Sequence, residues 1–122
     1  MVVIVGIGTD IVKIDRINKA CENPRFLEEY FSGRENTFFR TKKNMTLSVA
    51  NNFAAKEAFS KALGTGVSGF KLTEVSLLHL ENGKPYLKFS GNALSIVTEK
   101  GLSFDVSITH TDLLATAVVI TF

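Results

Sequence analysis

The stretch NFAAKEAFSKALGTG, residues 52–66, sets the frame for the whole chain. Ala, Leu, Lys and Glu favour helix, and the spacing predicts a long helix from about Thr46 to Leu63. Gly64 is placed to end it as a left-handed cap. At about 100° per residue, Ala55, Ala58, Phe59, Ala62 and Leu63 fall on one broad apolar face. Glu57 and Lys61 fall on the other, beside Phe53. Glu57 is then either half of an exposed i,i+4 pair with Lys61, contributing a few tenths of a kcal/mol, or a carboxylate kept for chemistry. The helix alone leaves both open.

On the N-terminal side, VVIVGIG at 2–8 is rich in β-branched residues and predicts a buried strand. Thr9 and Asp10 follow, both good N-cap residues. IVKIDRINKAC then places Ile14, Ile17 and Cys21 at helical spacing, with Lys13, Arg16 and Lys19 three apart. Pro24 interrupts. Residues 25–43 predict one or two short helices punctuated by Gly33, and the basic run RENTFFRTKK at 34–43 reads as exposed. On the C-terminal side, residues 72–80 and 84–89 flank Asn82-Gly83, a strong hairpin signal. GNALSIVTEK at 91–100 predicts a helix ended by Gly101. FDVSITH alternates, with Phe104, Val106 and Ile108 on one face. A turn near Thr111-Asp112 leads into a last strand, LLATAVVITF. The order is strand, helices, hairpin, helix, hairpin, which is an α+β fold with a largely antiparallel sheet.

The 122 residues fit a single domain, 1–122, with a core small enough that oligomerisation would help it. Neither VVIV nor LLATAVVI is long enough to span a bilayer. The N-terminus lacks the basic and apolar regions of a signal peptide. The one cysteine, Cys21, allows no intrachain disulfide and fits a reducing compartment, so a cytoplasmic location is expected. A net charge of +2 makes no case for nucleic acid. Residues 1–63 carry ten Lys/Arg against seven Asp/Glu, whereas 64–122 carry four against five. An acidic partner or phosphate-rich ligand would therefore meet the N-terminal half favourably, although scattered lysines on solvated faces give the same count.

Candidate chemistry sits near glycines. Gly64-Thr65-Gly66 is either a plain helix cap or a backbone that lets an anion approach closely. GIGTDI at 6–11 leaves Asp10 at a strand-to-helix junction, where it is either a cap or a ligand. Asp10 and Glu57 together suit Mg²⁺, which takes one or two protein carboxylates and completes its shell with water and phosphates. The sequence has no Cys/His zinc pattern. Neither His79 nor Cys21 carries a site signal, and we read both as structural.

Four segments in register give the chain a family likeness. GIGTDIVKIDRI at 6–17, FAAKEAFSKALGTG at 53–66, NGKPYL at 82–87 and VSITHT at 106–111 resemble bacterial holo-acyl-carrier-protein synthases, the small class of 4′-phosphopantetheinyl transferases. The core carrying the likeness is Lys56, Glu57, Ala58 and Lys61 after an aromatic Phe53, with Gly8-Thr9-Asp10 as its companion. The resemblance implies transfer of the phosphopantetheine arm of coenzyme A to a serine of apo-acyl carrier protein, in support of fatty acid biosynthesis, with adenosine 3′,5′-bisphosphate released. It implies Asp10 and Glu57 as Mg²⁺ ligands and Lys61 at the pyrophosphate. Either Glu57 or a metal-held water takes the serine proton. Gly64, Thr65 and Gly66 would line the nucleotide phosphates, and His110, with Ser107 and Thr109, the 3′-phosphate and adenosine. A docking helix bearing Lys13, Arg16 and Lys19, with Arg25 after it, would receive the acidic carrier. A homotrimer with active sites at subunit interfaces is also implied.

The chain departs from the family pattern in places. Asn51 and Asn52 stand where relatives usually carry Gly and Arg, so one anion contact is in doubt, with Arg40, Lys42 and Lys43 as basic residues at hand. Lys13 replaces a commonly acidic residue, and SITH replaces SISH. The alternatives are a non-catalytic coenzyme A or carrier-protein binding module of the same fold, and a broader-range transferase. The short chain disfavours the latter, and the intact Asp10, Glu57 and Lys61 disfavour the former.

Overall fold

The structure, a computed structural model, describes residues 1–122. Its centre is the helix announced by the quoted stretch, α4, Met45–Leu63. Asn44 caps its start, its side chain accepting from the Leu47 N–H, and Gly64 ends it at φ 86°. Burial extends well beyond the expected apolar face: Asn52, Lys56 and Ser60 are buried along with the alanines. The cause is packing on two sides. One flank of α4 lies on a three-stranded antiparallel sheet ordered β1-β5-β4, formed by Gly6–Lys13, Leu114–Thr121 and Phe104–His110. Around the rest lie the short helices α1 (Ile14–Ala20), α2 (Phe26–Tyr30) and α3 (Gly33–Arg40), and the two-stranded hairpin β2–β3 (Val75–His79, Pro85–Phe89). A short 3₁₀ turn, Leu72–Glu74, leads into β2, and α5 spans Gly91–Lys100. The α+β class and antiparallel pairing are as expected, but the strands divide between two sheets, and the first strand pairs with the last.

The largest correction is at the N-terminus. The strand does not cover residues 2–8 and stop at a cap. It begins at Gly6 and runs to Lys13, so Thr9 and Asp10 are strand residues and Lys13 is not on the helix. The reason lies in pairing: β5 offers a partner at every position, Gly6↔Thr121 through Lys13↔Leu114, and so prolongs the strand over residues whose apolar spacing suits either structure. Val2 to Val5 are exposed outside it.

Gly6 and Gly8 explain how β1 meets α4. A Cβ on Gly8 would stand 2.0 Å from the Ala58 carbonyl oxygen, and one on Gly6 2.3 Å from that of Ala62. Only a strand without side chains at those two alternate positions can lie against the helix backbone. Asp10 is the next residue on that same face.

The main core gathers around Phe59, whose ring lies 5.1–5.6 Å from those of Phe70, Phe89 and Phe104. A second cluster, including Ile17, Phe31, Phe39 and Val49, joins the short helices to α4. The run at 34–43 is only partly the exposed segment its charge predicted. Glu35 and Phe39 are buried, while Arg34 and Arg40 are exposed. No helix is long and apolar enough to cross a membrane.

Candidate active site at the meeting of β1 and α4

Asp10, Glu57 and Lys61 converge although some fifty residues separate the first from the others. β1 delivers Asp10 beyond its two glycines, and α4 presents Glu57 and Lys61 one turn apart. Lys61 does not pair with Glu57. Its Nζ donates instead to Asp10 Oδ1 at 3.2 Å and to the Thr9 carbonyl at 2.9 Å. The Lys61 side chain is 55% exposed and that of Asp10 16%, so the ion pair is open to water on the lysine side. Glu57 is half-buried without a side-chain partner of its own. Burial, and then the neighbouring Asp10 carboxylate, push its carboxyl above the ordinary range; Lys61 pulls it partly back.

Two carboxylates thus share one lysine, in a place where ionising both is costly. An added cation beside them would relieve that cost. The donor set fits a hard dication: two carboxylates, no thiolate or imidazole, and no third acidic group close enough to complete a shell. Such an ion would depend on water and on oxygens of a ligand for its remaining positions.

The surroundings of the pair are lopsided. Asp10 and Glu57 line a hollow of about 370 Å³ together with Lys13, Arg16, Phe26 and Phe53. An adjoining hollow of about 490 Å³ adds Lys19, Asn23 and Tyr30 beside Glu57. The cations expected to dock an acidic partner therefore border the carboxylates directly. Arg25 is exposed beyond them and lines neither hollow. Around the edge strand, Asp10 and Lys61 also line a hollow of about 400 Å³ with Ser107 and Thr109 on the sheet face away from α4. His110 ends β4 in the alternate set with Val106 and Ile108 and is exposed. It lines none of these three hollows, and neither does the exposed turn Gly64-Thr65-Gly66. The chain thus brings together the carboxylates, Lys61, Lys13, Arg16, Lys19, Ser107 and Thr109, but not Arg25, His110 or the glycine turn.

The sequence left Lys56 as part of a motif without a partner; the structure supplies one. Lys56 is fully buried and donates to Glu35 Oε1, to the Leu72 carbonyl at 2.8 Å and to the Val75 carbonyl. Burial pulls its pKa down and Glu35 holds it up. Glu35 also accepts from Ser32 N–H at 3.0 Å in a capping box at the start of α3, and from Asn52 Nδ2 at 2.8 Å. The Ser32-x-x-Glu35 spacing was the available signal for this helix start. Asn52 is thereby a buried strut of α4, facing away from the carboxylate hollow. Lys42 lies over the Phe38 ring on that far side and so does not stand in for a missing cation near Glu57. Cys21 is half-buried, and burial raises its thiol pKa, in keeping with a packing role.

The sequence model of the 4′-phosphopantetheinyl transferase superfamily matches residues 6–117. A holo-[acyl-carrier-protein] synthase of Caldanaerobacter subterraneus subsp. tengcongensis is 43% identical over 116 residues, spanning 93% of this chain and 91% of that relative. The crystal structure of the holo-[acyl-carrier-protein] synthase from Neisseria meningitidis superposes with a TM-score of 0.93 at 29% identity, over 98% of this chain and 99% of that one. The Bacillus anthracis synthase, solved in complex with CoA (3′,5′-ADP), superposes at 0.83 with 33% identity, over 97% and 96%.

Proposed function

Since the chain belongs to the 4′-phosphopantetheinyl transferase superfamily and is an enzyme of the holo-[acyl-carrier-protein] synthase kind, we propose that it carries the 4′-phosphopantetheine group from coenzyme A to a serine of apo-acyl carrier protein. The serine Oγ forms a bond to the phosphorus nearer the pantetheine. The bond from that phosphorus to the bridging oxygen of the pyrophosphate breaks, and adenosine 3′,5′-bisphosphate departs.

The observation that carries this reading is the meeting of Asp10 and Glu57 in a hollow edged by Lys13 and Arg16, with Lys61 bonded to Asp10 at its side. Asp10 and Glu57 are the residues that would hold Mg²⁺, which when bound neutralises charge on the pyrophosphate. Either the Glu57 carboxylate or a water held beside it accepts the serine proton. Lys61, free to swing because its pairing is half-solvated, binds the leaving phosphate oxygens. Lys13, Arg16, Lys19 and Arg25 orient the acidic carrier, and salt weakens that encounter.

The nucleotide end of coenzyme A falls to Ser107 and Thr109, which border the same hollow as Asp10 and Lys61, and to Gly64, Thr65, Gly66 and His110, which do not. A homotrimer reconciles them. Ile7 and Ile11 are exposed by 63% and 62% on the sheet face away from α4, and Val2 to Val5 are open as well. Packing these apolar faces together would bury them and bring the β4 residues of one subunit beside the carboxylates of the next. We place the enzyme in the cytoplasm, where its carrier and coenzyme A are made and used.

The test is to incubate the protein with an apo-acyl carrier protein, coenzyme A and Mg²⁺ and weigh the carrier. We expect the mass of one phosphopantetheine to be added and adenosine 3′,5′-bisphosphate to appear in equal amount. A carrier still at its apo mass beside well-folded enzyme would overturn the proposal.

A further inference from the structure

Lys61 passes over its nearest acid. Glu57 lies one turn before it on α4, in the ordinary i,i+4 relation of a helical ion pair. The Lys61 Nζ reaches across to β1 instead and donates to Asp10 Oδ1 at 3.2 Å and to the Thr9 carbonyl at 2.9 Å. Thr9 is exposed and β1 is an edge strand, so water can take the place of Lys61 at that carbonyl.

Asp10 faces two ways. It lines the hollow of about 400 Å³ that Lys61 borders and the hollow of about 370 Å³ that Glu57 borders. Lys61 does not line the second, and Glu57 does not line the first. One carboxylate is therefore reached by an ammonium from one side and confronts another carboxylate on the other.

These charges set up a competition. Asp10 and Glu57 repel one another, and the positive charge of Lys61 opposes that repulsion. A dication attracts Asp10 about twice as strongly as an ammonium at the same distance, and it repels Lys61. The Lys61 side chain is 55% exposed. An ion pair so open to water contributes little to stability and parts readily.

We propose that Lys61 and a divalent cation compete for Asp10, so that Lys61 yields the carboxylate when the cation binds and only then turns to the phosphates. This rests on the reading of Asp10 and Glu57 as metal ligands given above. It sets Lys61 against metal binding: removing the lysine helps the cation rather than harming it. It also sets an order, because the freedom of Lys61 to meet a pyrophosphate follows from the loss of its bond to Asp10.

The test follows the Nζ and Cε resonances of Lys61 by NMR in the isotope-labelled full chain. Magnesium chloride is added, with sodium chloride at equal ionic strength as the control for screening. We expect Mg²⁺ to shift the Asp10 and Glu57 carboxyl carbons. With the same midpoint, it should move the Lys61 resonances to where Asp10→Ala places them before Mg²⁺ is added. Sodium chloride should do neither. By calorimetry, Lys61→Met should bind Mg²⁺ about two- to sixfold more tightly than the parent, the factor for removing a competitor as strong as one exposed ion pair. Its melting temperature should gain correspondingly more from Mg²⁺. If Lys61→Met fails to fold, the resonances of the parent still decide.

Carboxyl carbons that shift while Lys61 keeps its original resonances would overturn this inference alone. So would parental or weaker affinity in Lys61→Met, or an equal response to sodium chloride. Carboxyl carbons that ignore Mg²⁺ would overturn the metal reading, and this inference with it.

Discussion

Two lysine–carboxylate clusters hang on the same helix, one residue apart in sequence, and they are opposites. Lys56 and Glu35 are sealed from water, matched one to one, and spend their remaining capacity on backbone groups and on the Asn52 amide. Asp10, Glu57 and Lys61 are open on one side, with two carboxylates to one lysine, and Glu57 has no side-chain partner of its own. The first arrangement is complete and ties α3, α4 and β2 together. The second is short of positive charge, and what it lacks a ligand can bring. In this motif, position 56 serves the fold, while positions 57 and 61 face open hollows.

The sharpest way to break the comparison is to remove charge from the open cluster. Asp10→Ala and Glu57→Ala should each lower carrier modification on the order of 10²–10⁴-fold while leaving thermal unfolding near that of the parent. Initial rates by mass spectrometry beside calorimetry check both halves. Near-parental turnover in either variant would remove that residue from the site. The same loss of rate should follow treatment with a chelator and be restored by Mg²⁺.

In the sealed cluster the effect should move from rate to stability. Lys56→Met leaves Glu35 buried without its countercharge and should cost about 3–5 kcal/mol in denaturant unfolding. Adding Glu35→Leu should recover only part of this, with a coupling of about 0.5–3 kcal/mol. The pair also satisfies the Leu72 and Val75 carbonyls and the Ser32 and Leu77 N–H groups, which no apolar substitute can do. Full recovery would show the ion pair to be dispensable to the backbone it contacts.

Much of this was legible in the residues before any coordinates. The run ending at Gly64, the Asn82-Gly83 hairpin and the alternation of FDVSITH each carry their own local signal, and each element formed as expected. The open cluster was legible as a pair of carboxylates near glycines. The sealed one was not, because nothing local at Lys56 reports a partner at Glu35 and a basic run reads as surface. Thr9 and Asp10 misled for a related reason. They are good caps by type, and only the partner strand, more than a hundred residues away, makes them strand residues.

Gly8 links the fold to the open cluster, and its replacement sharpens the contrast from the backbone side. With the Ala58 carbonyl oxygen 2.0 Å from where a Cβ would stand, Gly8→Ala must push β1 off α4. We expect about 1–3 kcal/mol of lost stability, together with a fall in turnover, because Asp10 two residues on moves with the strand. Gly33, with open space around it, is the control: Gly33→Ala should change turnover little.

The smallest effect is also the most telling about charge. The folded-state pKa of Glu57 lies above its unfolded value, so the native chain binds this proton more tightly than the unfolded one does. The contribution of Glu57 to stability is therefore most favourable at low pH and declines as pH rises from the unfolded pKa through the raised folded pKa. Glu57→Gln removes both the titration and the repulsion with Asp10. Its melting temperature should match the parent in mild acid and exceed it slightly at neutral pH, while turnover is lost. Added Mg²⁺ should narrow the gap by stabilising the parent alone. A glutamine variant that loses stability relative to the parent as pH rises would mean that Glu57 is held by a partner after all, and that the two clusters on α4 differ in exposure rather than in kind.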